Sequence, residues 1–391
     1  MMGSDISKAS LLQPVTAGLL AAIVGFGSSF PVVLQGLAAA GANPAQAASG
    51  LIALSIMMGL LGILLSLRSR MPVAIAWSTP GAALLVATGT PEGGFAAAVG
   101  AFLVAALLIV LAGVWKGFGQ AVAAIPASLA NAMLAGVLLD LCLAPVRAVG
   151  AMPALALPIV LVWALAWRFA RLWAVPLAVL VTAAIVLVWT PVPEGALADI
   201  LPRPVLVVPV LSLDALIGIG LPMFLVTMAS QNVPGLAVLR ANGYQPDVQP
   251  IFVTSGLASM VTAPFGGHLV NLAAITAALC AGPEAHPDSR QRWIAAVTNG
   301  AGYVLLGLFA GFAAAFIAAS PPLLIQAVAG LALLGALSSA LSGALAQESE
   351  RLPAIMTFVT TASGVSFFGI GGAFWGLVAG GAMLALARAG R

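Results

Sequence analysis

Val73-Ala74-Ile75-Ala76-Trp77-Ser78-Thr79-Pro80-Gly81-Ala82-Ala83-Leu84-Leu85, "VAIAWSTPGAALL", is the stretch on which the reading of this chain turns. It lies between Arg68 and Arg70 on one side and the acidic turn Pro91-Glu92 on the other. An apolar segment here carries Ser-Thr-Pro-Gly at its middle. Hydrocarbon cannot satisfy the backbone groups that such a break exposes. A break of this kind survives where it lines a cavity or is buried in protein, so the segment predicts a site.

The surrounding composition makes lipid the relevant solvent. Of 391 residues, 62% are hydrophobic and 6% charged, against about 25% charged in soluble domains. The mean hydropathy is +1.15. Apolar runs of roughly 18–25 residues recur along the chain, the pattern of a polytopic α-helical membrane protein. No soluble domain is predicted. The basic residues stand singly in loops and form no patch, so the pI of about 9.3 does not point to nucleic acid. Cys142 and Cys280 sit apart in apolar segments and suggest neither a disulfide nor a metal site. The polar start, MMGSDISKAS, shows no cleavable signal, and the first span is read as an uncleaved anchor.

Fourteen spans are predicted: 13–37, 44–67, 71–89, 93–113, 125–143, 153–169, 173–190, 212–232, 248–263, 264–281, 291–317, 320–345, 353–369 and 371–388. The third and tenth are short and interrupted. Lys116 to Gln120 is expected to lie along the interface. With residues 1–12 inside, twelve basic residues fall on the cytoplasmic side, and only Arg147 and Arg203 fall outside. That bias supports the count and places both termini in the cytoplasm.

Three short matches recur in the same order in both halves. "SSFPVVL" (Ser28 to Leu34) pairs with "QNVPGLA" (Gln231 to Ala237), each taken to end a span. "WSTPGAALL" pairs with "APFGGHLVNLAAITAAL" (Ala263 to Leu279), and "IPASLANA" (Ile125 to Ala132) with "SPPLLIQA" (Ser320 to Ala327). Seven spans per half is odd, so the second half enters from the opposite face. The expected fold is a 7+7 inverted repeat: 13–190, an external linker 191–211, then 212–388.

Such folds place substrate where discontinuous helices point their termini inward. In the third span, Val73–Trp77 is expected to run extended, with Ser78 or Thr79 as N-cap, Pro80 at N1 and helix from Gly81. In the tenth, Phe265-Gly266-Gly267-His268 is the irregular part, and Asn271 is expected to cap the restart. Two half-helices would then face each other and hold an anion without a buried cation. No Lys, Arg, Asp or Glu lies deep in any predicted span; Asp140 and Asp214 fall near span ends. The candidate binding residues are Trp77, Ser78, Thr79, Gly81, Gln231, Asn232, Phe265, Gly266, Gly267, His268 and Asn271. Trp77 and Phe265, with Phe30 near them, would sandwich an apolar ring. Each has a plainer alternative. Ser78 and Thr79 could serve only their own helix end, Trp77 could be core packing, and Gln231 and Asn232 could simply end the eighth helix. Asn131 and Gln326 are read as helix-joining amides. His268 is the one ionisable residue placed near the midplane apart from Cys280, and it is the candidate proton carrier.

"AWSTPGAALL", "LPMFLVTMASQNVPG" (Leu221 to Gly235), "AAITAALC" (Ala273 to Cys280) followed by "PEAHPD" (Pro283 to Asp288), and "FWGLVAGG" (Phe374 to Gly381) together resemble the benzoate/proton symporter family, BenE. The resemblance runs from about residue 10 to the C-terminus. It implies import of benzoate with protons across the bacterial inner membrane. It also implies the architecture of nucleobase and sulfate permeases. There a core (13–113 plus 212–317) moves against a gate (125–190 plus 320–388), often in a homodimer, with substrate between the third and tenth spans. One departure stands out: nucleobase permeases place carboxylates in the eighth and tenth spans, and here Met228, Ser230, Gln231, His268 and Asn271 stand instead. A substrate that is itself an anion removes the need for them.

The expected function is therefore a secondary transporter of an aromatic carboxylate. The alternatives are another small organic anion or a nucleobase-like substrate, or a passive channel, for which a continuous polar lining is missing. An enzyme is not expected. There is no nucleophile–base or metal set and no phosphate-binding G-x-x-x-x-G-K-[ST], and no cofactor is implied.

Overall fold

The computed structural model describes residues 3–115, 117, 126–189, 203–368 and 370–389. Among the described residues the chain is all-helical apart from two three-residue strands. In order the elements are α1 (Gly3–Ala39), α2 (Pro44–Ser69), β1 (Ile75–Trp77), α3 (Thr79–Thr88), α4 (Gly94–Val114), α5 (Ala127–Ala151), α6 (Pro153–Phe169) and α7 (Ala174–Trp189). Then come α8 (Leu213–Ala241), α9 (Val248–Thr262), β2 (Val270–Leu272), α10 (Ile275–Ala281), α11 (Trp293–Gly307), α12 (Ala310–Ala319), α13 (Pro322–Ala344), α14 (Arg351–Ala362) and α15 (Gly372–Ala389). Among the described residues eight helices are long and apolar enough to cross a membrane. A ninth is added if the stretches Ser289–Gly307 and Ala310–Ile317, bent by 57°, form one span. The third predicted span is not one long helix but β1 with α3, and the tenth is β2 with α10. The interfacial segment expected at 116–120 lies outside the described residues except Gly117.

The two strands pair antiparallel, Ile75 opposite Leu272, Ala76 opposite Asn271 and Trp77 opposite Val270. Ser78 N–H donating to Leu269 O (3.0 Å) and Ala273 N–H donating to Ala74 O (2.9 Å) continue the ladder at its two ends. Broken backbone inside a membrane protein must find its partners within the protein; here each break satisfies the other. A serine from the preceding helix fastens each strand. Ser66 Oγ receives Val73 N–H (3.1 Å) and donates to Val73 O (3.2 Å). Ser259 Oγ receives Val270 N–H (2.8 Å), and its own proton goes to Ser255 O (2.7 Å) in its own helix.

α8 corrects one expectation. It does not end at Gln231-Asn232 but runs through two π-turns, Leu216–Gly220 and Met228–Asn232. Each is followed by an X-Pro step, Leu221-Pro222 and Val233-Pro234. Proline lacks the N–H of a regular helical bond, and a widened turn absorbs the loss without ending the helix. α1 likewise continues through Pro14 and Pro31.

The central apolar cluster joins α1–α4 to α8 and α9 and reaches into α5 and α13. Backbones touch where glycines face each other: a Cβ on Gly59 of α2 would lie 2.5 Å from Gly300 O of α11. α6 and α7 pack in a separate cluster with the end of α5 and the start of α13. Ser128 and Arg388 both donate to the buried Glu350 carboxylate, at 2.6 and 3.1 Å, tying the start of α5 to the end of α15. The described part of the linker is docked. Val205 N–H donates to Ser49 Oγ (2.8 Å), Val207 N–H to Pro264 O (2.7 Å) and Val210 N–H to Ala96 O (3.0 Å).

Candidate functional site

A cavity of about 180 Å³ opens where the strand pair meets α1, α8 and α13. One wall is Trp77 at the end of β1, with Thr79 and Pro80 of the first turn of α3. The next is Ala273, Ala274, Ile275 and Thr276, leading from β2 into α10. Gly25, Ser28 and Ser29 come from α1, Gln231 from the second π-turn of α8 and Tyr303 from α11. Ala332, Leu333, Gly335 and Ala336 of α13 complete the lining. None of these residues is charged at neutral pH.

Trp77 is held rigidly. Its Nε1–H donates to Ser29 Oγ (2.8 Å), which in turn donates to Gly25 O (2.6 Å). Its ring tilts against Phe26 at 5.4 Å and against Tyr303 at 6.4 Å. Phe30 does not stack on it but sits behind Phe26, at 5.5 Å. The indole thus offers a fixed apolar face.

Ser78 is the N-cap of α3, as its position in the sequence predicts, and its Oγ receives Gly81 N–H at 3.1 Å. The helix starts one residue earlier than expected, so Thr79 is N1 and Pro80 N2. Ser78 Oγ also lies 2.6 Å from Thr227 Oγ1 of α8, so its capacity is spent within the protein. Thr79 is different: it lines the cavity, and the first residue of a helix has no intrahelical partner for its N–H. A Cβ on Gly81 would meet Ser78 and Met223, on the α8 side.

Asn271 departs from expectation. It does not cap the second half-helix; it is the middle residue of β2, and α10 begins at Ile275 behind Ala274, which makes no side-chain cap bond. Opposite Ala76, its side chain leaves the ribbon on the face away from Trp77. Its Nδ2 donates to Leu272 O (3.0 Å), and its Oδ1 is buried without a partner among the described residues. Asn232 accepts Leu272 N–H (3.0 Å) and so fastens β2 to α8.

The remaining candidates lie before β2, away from the cavity. Phe265 ends a 3-10 turn (Ala263–Phe265), and its carbonyl accepts Ser49 Oγ–H at 2.9 Å. Gly266 follows at φ +87°, a conformation that side-chain-bearing residues rarely adopt, with its Cβ direction facing Gln46 O. Gly267 packs on Thr262 and Leu54. His268 is fully buried and edge-on to Phe102 at 6.4 Å. Its Nδ1 accepts Leu269 N–H (2.7 Å), which puts the neutral ring's proton on Nε2. Nε2 is buried without a partner among the described residues. Of the eleven candidates, then, Trp77, Thr79 and Gln231 line the cavity and eight do not.

Sequence reasoning missed Thr276, Tyr303, Ser28, Gly335 and Arg292. Arg292 is buried, and its guanidinium donates to Ala281 O (2.8 Å), His286 O (2.6 Å) and Pro287 O (3.4 Å). It fastens the far end of α10. Nearby, Tyr244 Oη–H donates to Ser289 O at 2.7 Å. Arg290 N–H donating to Asp288 holds that loop carboxyl below its ordinary range. The available signal for Arg292 was an arginine at a predicted helix start, where a positive charge is unfavourable without a nearby carbonyl cluster.

The profile of the benzoate membrane transport protein family, BenE, matches residues 8–386. The chain is 44% identical over 368 residues to the inner membrane protein YdcO of Escherichia coli (strain K12), covering 93% of each. It is 35% identical over 369 residues to the benzoate membrane transport protein of Acinetobacter baylyi, covering 94% of this chain and 93% of that one. Among solved structures it resembles the transmembrane domain of the cyanobacterial bicarbonate transporter BicA. The TM-score is 0.60 and the identity 14%, over 95% of this chain and 97% of that one, a likeness of fold.

Proposed function

The chain belongs to the benzoate membrane transport protein family and is a membrane transporter, and from that premise we propose that it imports benzoate, or a similar aromatic carboxylate, together with protons across a bacterial inner membrane. The observation that carries the substrate reading is the cavity. An apolar cavity of about 150 Å³ takes one benzene; this one, at about 180 Å³, has room for a single ring and a carboxylate. The ring lies against Trp77 and Tyr303. The carboxylate meets neutral donors: the Thr79 N–H and hydroxyl, Thr276 and Gln231. With no lining Asp or Glu, a nucleobase-like substrate has no carboxylate to pair with, and an anion meets no fixed negative charge.

The same reading takes the chain as fourteen crossings in a 7+7 inverted repeat with both termini cytoplasmic. In this reading the core is 13–113 plus 212–317, the gate is 125–190 plus 320–388, and two copies form a homodimer. The matched Ser66–Val73 and Ser259–Val270 fastenings support the repeat.

The proton reading assigns His268 as carrier. Its support is the buried, unpartnered Nε2 just ahead of β2. Protonation there would be felt in the cavity through the strand that leads into Ala273 and Ala274.

Purified protein in liposomes should exchange labelled for unlabelled benzoate and should accumulate it when the outside is made acidic. Equal rates with and without a pH gradient would remove the proton, and absence of exchange would remove benzoate. His268→Gln keeps a polar group that does not titrate; it should retain exchange and lose gradient-driven accumulation. Wild-type accumulation by that variant would exclude His268 as carrier.

A further inference from the structure

Most helical glycines here are explained by what lies against them. On α13, a Cβ at Gly330 would meet the Leu141 carbonyl and Pro145, and at Gly343 it would meet the Asn131 amide. Gly335, on the same helix, is different. It has no positive φ, and an added Cβ would have nothing within 4 Å. Glycine in a helix interior is unfavourable relative to alanine, so neither the backbone nor the packing requires it. Gly335 is exposed and lines the cavity, beside Ala332 and Ala336.

We propose that Gly335 is a specificity-determining residue: its missing side chain leaves a slot at the cavity mouth for a substituent on the far side of the substrate ring. This rests on the aromatic carboxylate reading given above. The polar groups that suit a carboxylate, Thr79 and Thr276, lie on the strand–helix side, and the α13 residues form a separate stretch of the lining, on a helix that packs mainly against α5 rather than against α3 or α10. A ring held between them turns its para position toward α13. At about 180 Å³ the cavity has little volume left over once a ring and a carboxylate are in place. A para substituent must then project past residue 335 into open space, and a side chain there would take that space. The wall is small at three positions one turn or less apart, Ala332, Gly335 and Ala336, but only at Gly335 is there no Cβ at all.

The test is competition of benzoate and 4-methylbenzoate for labelled benzoate exchange in liposomes, using wild type, Gly335→Ala and Gly335→Val. Gly150→Ala is the control, because that glycine is equally unhindered and lies off the cavity. Wild type should accept both compounds. Gly335→Val should weaken 4-methylbenzoate at least tenfold more than it weakens benzoate, Gly335→Ala should fall between, and the control should leave the ratio of the two unchanged. Gly335→Ala raises helix propensity, so it remains informative if the valine variant does not fold. Equal loss of both substrates would overturn the proposal and make Gly335 a contact on which α13 slides. No change for either, or a wild type that takes benzoate and refuses 4-methylbenzoate, would also overturn it. A wild type that exchanges no benzoate fails the underlying reading instead, and is told apart before any variant is made.

Discussion

The two strand–helix hairpins are built alike and fastened at opposite ends. α3 is ten residues long and held at its start: Ser78 caps it and also binds Thr227 of α8. α10 is seven residues long, has no side-chain cap, and is held at its finish, where Arg292 takes the Ala281 carbonyl and two carbonyls of the following loop. The extended stretches that precede them are fixed similarly, each by a serine of the preceding helix that accepts a valine N–H, from Val73 or from Val270. One half-helix thus spends its best polar side chain on itself. The other has Thr276 in a first turn that lines the cavity, as Thr79 does for α3, and is anchored at its opposite end. Two similar local frames are therefore anchored differently, and each brings a threonine of its first turn to the cavity.

The largest effect expected from this comparison is at Arg292. Arg292→Ala removes three charge-assisted bonds and leaves buried carbonyls unpaired, a loss of roughly 3 kcal/mol or more. Uptake should be lost and the thermal midpoint in detergent should fall. Arg292→Lys has one compact ammonium where a planar fork stood; it should recover part of the stability and transport with raised KM. If Arg292→Ala leaves both midpoint and KM unchanged, α10 is not anchored from its far end.

A smaller effect is expected at the capped start of α3, and the comparison is sharpened by measuring Asn271, the residue expected from the sequence to cap the other half-helix. Ser78→Ala loses a cap and a buried hydroxyl partner, about 1–2 kcal/mol. Asn271→Ala removes one bond to a neighbouring carbonyl and an oxygen that has no partner among the described residues, so it should cost less than about 1 kcal/mol. Chemical or thermal unfolding of the two variants side by side decides the matter. Equal losses would mean that Asn271 supports α10 as Ser78 supports α3, and the two hairpins would be fastened alike after all.

Much of the frame is legible in the order of the residues. Val73 to Leu85 has β-branched and aromatic residues, then a serine, then Pro-Gly and small apolar residues, and this is an extended stretch, a cap and a helix by local rules alone. The second hairpin is legible as a break but not in its boundaries. Asn is a good cap in general, yet at position 271 the pairing with Ala76 keeps it in a strand. Gln231 and Asn232 look like a helix end because an X-Pro step follows, and the π-turn that carries α8 past them has no distinct sequence pattern.

By itself the sequence determined the solvent, the family and the two places where the backbone breaks. Composition, charge placement and local capping act over a few residues, and they can be read from the chain in order. Which side chains share the cavity was decided only by tertiary structure. Trp77, Thr79 and Gln231 share the cavity with Thr276, Tyr303 and Gly335, brought from distant helices. His268 and Asn271, a few residues from the cavity in sequence, do not line it. Strand register and the packing of helices far apart in the chain set that membership, and neither is a local property of the residues concerned.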